Sequence, residues 1–354
     1  MEGVALDPRV RACTGIAGME LRFRGNVTRA NEGILGLCCE SKPVKPEIAF
    51  QSTEHETLEK FIGLRHIIMA ESIKYCDNYS LIKDERELSK CVDCASFQTN
   101  YSKGYWTLNP QFAKVHMAVY PSPCQARCCY CRAEKSWEYS SQVKDGYEKM
   151  FRTIKYADDS GLIDPNALWE IASGEIAIHP YKNRFYEVIQ GKKTMFFSNC
   201  MVFDERIAQH LNETGNSGIA FSIDAGTKEH WKEVKGFDNF ESTVNNFKQY
   251  CESSRNVSGF QLKYIVLPGV NDSEHDYQSL MEIMSDCGIT VLMISRDSFN
   301  EYKPMESQTR DTLISAAASL VKKCKSNGFR WRFIKYTPNE KKEIERRASE
   351  EALK

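Results

Sequence analysis

Three cysteines, Cys124, Cys128 and Cys131, stand at C-x3-C-x2-C in the stretch YPSPCQARCCYCRAEKSW, Tyr120 to Trp137. Thiolates are soft ligands suited to iron–sulfur clusters or zinc, and a loop carrying three so close together can wrap one metal centre. A structural zinc usually closes with four ligands in two separated pairs. A cubane cluster held by three thiolates instead leaves one iron open to bind and activate a substrate. The open position favours catalysis. Cys129 does not fit the spacing and is read as a bystander. A second set of thiolates lies in the first hundred or so residues: Cys13, Cys38 or Cys39, and the pair Cys91 and Cys94, whose two-residue gap is a usual chelating arrangement. Both an iron–sulfur cluster and a structural zinc fit those ligands. The chain has 14 cysteines in 354 residues and opens on MEGVALDPRVRACTG, with no apolar core flanked by basic residues. That combination argues for reduced, metal-binding thiols in a cytoplasmic protein rather than for disulfides.

Chemistry at such a loop depends on the elements that hold it. From Phe112 onward, short apolar runs alternate with helical stripes, the rhythm of βα units that build a parallel sheet. Strands are expected at Lys114–Tyr120, Leu168–Ile171, Thr194–Phe197, Gly218–Ile223, Leu262–Leu267 and Thr290–Ile294, with a further edge strand within Phe329–Tyr336. Val143, Tyr147, Met150 and Ile154 recur at three- and four-residue steps, as do Phe240, Val244, Phe247 and Cys251, and Leu313, Ala317, Leu320 and Cys324. Six such units predict an α/β fold, a partial (β/α)6 TIM-like barrel over 112–336; a doubly wound sheet shows a similar rhythm. Residues 1–111 show no such rhythm and are expected to form a small cysteine-containing N-terminal module. Residues 337–354 are expected to form a charged, solvated helix. The 47 basic and 48 acidic residues leave a net charge of −1. There is no basic stripe to attract DNA, RNA or an anionic membrane, and no apolar run long enough to cross a bilayer.

Parallel barrels gather their chemistry at the carboxyl ends of the strands. Those ends carry Ser173-Gly174-Glu175, then Cys200, then Ser222 and Asp224 alternating on one strand face, then Leu267 before a Pro268-Gly269 turn, and Arg296. With the cysteine spacing and the aromatic Tyr130 before the last cysteine, this order resembles the radical S-adenosylmethionine superfamily. The resemblance covers Phe112 to about Tyr336. It implies that Cys124, Cys128 and Cys131 hold a [4Fe–4S] cluster whose open iron is chelated by S-adenosylmethionine. It further implies that the Ser173-Gly174-Glu175 segment contacts the methionyl amino group, and that Ser222 and Asp224 face ribose hydroxyls and the cofactor carboxylate. Backbone near Leu267 would support adenine, and Arg296 would meet a carboxylate unless it forms a surface ion pair. Asn271 or Ser273 is read as the cap of the following helix.

The activity implied is reductive cleavage of S-adenosylmethionine to a 5′-deoxyadenosyl radical that takes hydrogen from an unactivated carbon of a peptide or small molecule. Electrons would come from a reducing partner such as flavodoxin or ferredoxin. Cys200, past the third strand, is a candidate hydrogen-atom donor, and His116 and His179 are candidate cavity-lining residues. The N-terminal stretch resembles the SPASM and twitch modules, with a cysteine, an apolar strand, a turn at Gly25-Asn26 and further cysteines. This implies an auxiliary iron–sulfur cluster on Cys13, Cys38, Cys91 and Cys94. It departs from those modules by preceding the barrel. An RNA-modifying relative and a non-enzymatic iron–sulfur or zinc protein are the rival readings, and cleavage of S-adenosylmethionine discriminates against the second.

Overall fold

The structure, a computed structural model, describes residues 12–13, 20–26, 35–36, 47–63, 97–98, 111–131, 133, 135–297 and 307–350. Its strands are β1 (Ala12–Cys13), β2 (Glu20–Asn26), β3 (Leu35–Gly36), β4 (Glu47–Ile48), β5 (Phe97–Gln98), β6 (Phe112–Tyr120), β7 (Ile163–Ile171), β8 (Thr194–Ser198), β9 (Gly218–Ser222), β10 (Gln261–Val266), β11 (Val291–Arg296) and β12 (Arg330–Ile334). Its helices are α1 (54–63), α2 (Ser141–Asp159), α3 (Lys182–Val188), α4 (Glu205–Thr214), α5 (Lys228–Lys235), α6 (Phe240–Ser253), α7 (Glu274–Asp286), α8 (Ser307–Ser326) and α9 (Pro338–Glu350). Eight strands, β2 and β6 to β12, form an unclosed parallel α/β sheet. All six expected strands are present, and β12 is the expected edge strand.

β2 adds a strand that the sequence reading did not place. Its Leu21 and Phe23 are buried while Glu20 and Arg22 occupy the other face, the period-2 pattern of a strand. Gly25 and Asn26, expected as a turn, are instead the last residues of this strand, in parallel register with Val119 and Tyr120. Cys38, Cys91 and Cys94 lie outside the described residues, and Cys13 is described only as backbone of β1.

The chain divides into two compact units. The first comprises Met1–Ser122, Glu134–Ser173 and Asn183–Lys192. On β6, Phe112, Val115, Met117 and Val119 are buried on one face, and Tyr147 of α2 donates to the Pro121 carbonyl (3.1 Å). The helix stripe behaves as expected: Val143, Tyr147, Met150 and Ile154 are all buried. The opposite face of β6 carries charge. Arg22, His116 and Glu170 pair in register across β2, β6 and β7. Glu170 accepts from Lys114 Nζ (2.9 Å) and His116 Nδ1 (2.7 Å). Burial pushes the Glu170 carboxyl up, but its His116 and Lys114 partners outweigh this and hold it at about 2.

The second unit comprises Pro123–Ala133, Gly174–Lys182 and Lys193–Lys354. Its helix starts are capped by Asp204, Thr227 and Ser273, whose side chains accept from Arg206, His230 and Asp276 amides. Its core is built on Phe221, Trp231, Phe247, Leu262, Tyr264 and Leu280. Leu313, Ala317, Leu320 and Cys324 are buried on α8. The tail helix α9 is not simply solvated, because it buries Glu340, Ile344 and Ala348.

Candidate functional site: the cysteine loop and the strand ends of the second unit

The loop after β6 is fastened on one side and open on the other. Arg127 N–H donates to the Lys235 carbonyl (2.9 Å) and Cys129 N–H to the Val234 carbonyl (3.0 Å), so the C-terminus of α5 holds the residues on either side of Cys128. Gly236 ends α5 in the left-handed region, at φ 74°, and a Cβ there would stand 2.9 Å from Arg127 Cβ. Glycine is needed on both counts. Cys131 N–H donates to the Cys128 carbonyl (3.0 Å), and Glu175 N–H to the Pro123 carbonyl (2.8 Å). Cys124 and Cys128 are half-buried, and Cys129 and Cys131 are exposed.

Asn199, just past β8, donates through Nδ2 to Cys124 Sγ (3.6 Å) and accepts from Gln125 Nε2 (3.3 Å) and Met201 N–H (2.9 Å). Three thiols outside any disulfide on one backbone-anchored loop, one of them receiving an N–H···S bond, are a donor set that fits a [4Fe–4S] cluster. Among the described residues, no group of three or more His, Cys, Asp or Glu side chains is gathered closely enough to hold a metal ion. A cluster binds each thiolate through a different iron, so it does not ask for that single-ion gathering.

The Tyr130 hydroxyl is held by Asp224, Lys235 and Cys128. It donates to Asp224 Oδ2 and accepts from Lys235 Nζ (3.1 Å), while Lys235 Nζ donates to the same Asp224 oxygen at 2.6 Å. Asp224 Oδ1 accepts from Ile265 N–H (2.7 Å). Lys235 is 1 % exposed and Asp224 0 %. Burial pushes the Asp224 carboxyl up, but Lys235 and Lys263 hold it below its usual range. Burial pulls Lys235 down, but Asp224 and the Cys128 and Cys124 sulfurs more than restore its charge. Burial first and the Asp224 charge second keep the Tyr130 phenol protonated. Asp224 therefore accepts at both carboxylate oxygens from groups of the protein. Ser222 stands half-buried at the end of β9.

Glu175 is fully buried at the turn after β7. It accepts from Asn199 N–H (2.7 Å) and Ser198 Oγ–H (2.9 Å). Burial outweighs these bonds and raises its carboxyl to about 7. Gly174 before it adopts φ 55°, and Ser173 Oγ accepts from Val119 N–H (3.0 Å) within the first unit. A folded-state value above the unfolded one means that the folded protein holds this proton more tightly. The stability linked to Glu175 is thus complete below about 4.5 and declines as pH rises to about 7, by about 3 kcal/mol in total. In Glu175→Gln this decline is absent. Denaturant melts of both proteins at several pH values are expected to show the wild type losing that margin relative to the variant across the window.

The remaining strand ends resolve several expectations. Asn271 is not a helix cap. It is fully buried, accepts from Leu267 N–H (2.7 Å) and donates to the Asp224 and Ile265 carbonyls (both 2.8 Å), tying the ends of β9 and β10 together; Ser273 does the capping. Arg296 holds Glu340 of α9 (3.1 Å) in an ion pair that is buried and not on the surface. Cys200 is buried at φ 54°, and burial followed by the Glu175 charge keeps its thiol protonated. His179 accepts at Nδ1 from Tyr181 N–H (3.1 Å), and burial holds it neutral, down at about 3. Lys235, Asn199 and Ser198 are site residues that the sequence reading missed. Only Asn199 carried a signal, as the neighbour of Cys200 past a strand end.

The described residues thus form an open parallel α/β sheet with a three-cysteine loop after β6. Residues 122–280, beginning at that loop, match the radical SAM superfamily model. That stretch is similar to a radical SAM domain, and the chain is an enzyme of open subclass. No curated protein matches the sequence. Among solved structures, it is similar to Streptococcus suis SuiB bound to precursor peptide SuiA (12 % identity, TM-score 0.45, 87 % of this chain and 58 % of that one). It is also similar to a radical SAM methyltransferase from Sphaerobacter thermophilus (12 %, 0.42, 60 % and 63 %) and to methylornithine synthase (PylB) (15 %, 0.39, 61 % and 70 %). The chain spans 58 %, 60 % and 56 % of the length of three SuiB structures. Among the described residues no helix is long and apolar enough to cross a membrane.

Proposed function

We propose that this chain reductively cleaves S-adenosylmethionine and uses the product radical on a peptide or small-molecule substrate. The observation that carries the reading is the radical SAM match beginning at the loop that holds Cys124, Cys128 and Cys131. Cys124, Cys128 and Cys131 would hold a [4Fe–4S] cluster, which with S-adenosylmethionine would supply radical chemistry able to take hydrogen from an unactivated carbon. The chain's own residues do the rest. Glu175, poised at about 7, ionises when a cationic amine docks against it. Ser222 serves the ribose hydroxyls, and backbone at Leu267, set by Asn271, serves adenine. Asp224 holds Tyr130 and Lys235 in place, and Arg296 holds α9 in place. Cys200, a buried protonated thiol, is suited to return a hydrogen atom to a substrate radical.

Four thiolates, Cys13, Cys38, Cys91 and Cys94, suit an auxiliary iron–sulfur cluster, and a flavodoxin or ferredoxin suits the need for an electron. The test is spectroscopic. S-adenosylmethionine added to the reconstituted, reduced protein is expected to shift the cluster's electron paramagnetic resonance spectrum. A spectrum unchanged at saturating cofactor contradicts the reading.

A further inference from the structure

Lys235 has almost no solvent around it, and what fastens it is the cysteine loop, Asp224 and the Trp231 ring. Its ammonium donates to Tyr130, one position before Cys131, and to Asp224. Its backbone carbonyl and that of Val234 accept from Arg127 and Cys129, the neighbours of Cys128. The ammonium also lies over the Tyr130 and Trp231 rings, at 5.5 and 5.6 Å from their centroids. A lysine needed only to pack α5 would carry its charge to water, as Lys232 of the same helix does, at 66 % side-chain exposure. Burying the charge and pairing it costs desolvation, and replacing such a pair by apolar residues is often neutral or stabilising. Folding alone therefore does not account for it.

We propose that Lys235 sets the reduction potential of the cluster held by Cys124, Cys128 and Cys131. The inference rests on the reading that these residues hold one. One-electron reduction adds a negative charge to the cluster. A fixed cation beside the loop, unscreened by water, stabilises that charge and makes the cluster easier to reduce. Asp224 opposes it, acting from the same buried pair through the shared hydrogen bond. Lys235 is thus a positioning and electrostatic residue that touches neither substrate nor the transferred atoms. Its effect is read at the cluster itself, before any cofactor binds.

The experiment uses the full chain, reconstituted anaerobically with iron and sulfide, without S-adenosylmethionine. Wild type, Lys235→Met, Lys235→Arg and Asp224→Asn are assayed for iron and then poised across a range of potentials, with the reduced fraction read by electron paramagnetic resonance. At the wild-type midpoint, Lys235→Met is expected to show a reduced-to-oxidised ratio lower by about tenfold, a 59 mV drop for one electron. Lys235→Arg, which keeps the charge, is expected to stay within about twofold, and Asp224→Asn to move the ratio upward by about tenfold. Equal midpoints for wild type and Lys235→Met at equal iron content overturn the inference. Should Lys235→Met take up no cluster, the Asp224→Asn midpoint decides: a rise supports the inference, and no change or a fall overturns it. A wild type that takes up no iron defeats the underlying reading, and the inference with it; the iron assay reports that separately.

Discussion

Cys128→Ala is expected to abolish formation of 5′-deoxyadenosine, down to the level of a reaction without protein. Cys128 is the middle thiolate of the loop, and its neighbours Arg127 and Cys129 are the two residues bonded to the end of α5. The variant keeps that backbone frame and loses the thiol proposed as a ligand together with its bond to Tyr130, and a wild-type melting curve for the variant makes the loss read ligation rather than folding. Iron content falls with activity, by roughly four atoms per chain, the complement of one cubane cluster. Cys129→Ala is the internal contrast. Its side chain is exposed and stands outside the ligand spacing, and activity is expected within about twofold of wild type. If Cys129→Ala behaved like Cys128→Ala, the ligand assignment would have to be redrawn.

The largest expected effect on stability is at Asn271. Leucine there is close in size, and it deprives the Leu267 N–H and the Asp224 and Ile265 carbonyls of their buried partner. Each such orphaned group costs roughly 1–3 kcal/mol, so Asn271→Leu is expected to destabilise by about 4 kcal/mol, a fall in Tm of roughly 10 °C. Ser273→Ala, which removes only a helix cap, is expected to cost about 1 kcal/mol. Calorimetry on both variants separates a strand-end tie from a cap: comparable losses would mean that Asn271 does no more than Ser273.

The parts of the fold most legible in the sequence were those whose physics is local. Parallel strands buried on both faces read as continuous apolar runs, and β8 to β11 lie where TMFFS, GIAFS, QLKYIV and VLMISR announce them. The α2 and α8 stripes were equally plain. β2 was harder to see, because ELRFRGN alternates charge with apolar residues and its parallel partner β6 lies far along the chain. The three cysteines proposed as ligands stood out by their spacing. The charges that surround them did not. Lys235 reads as one more cation on a polar helix, WKEVK, and its tyrosine partner is 105 positions away. Arg296 and Glu340 likewise meet only in the folded chain, which is why α9 looked solvated. Asn271 was misread because an asparagine ahead of a helix has a ready local explanation, and its true partners are carbonyls on two strand ends.

The most direct test of the central claim is anaerobic. Wild-type protein reconstituted with iron and sulfide is mixed with S-adenosylmethionine and a strong reductant, and 5′-deoxyadenosine is measured by mass spectrometry against Cys128→Ala. Formation by wild type alone is the predicted result. No 5′-deoxyadenosine from wild type carrying a complete, reducible cluster would contradict the claim and leave the cysteine loop as a metal-binding structural element.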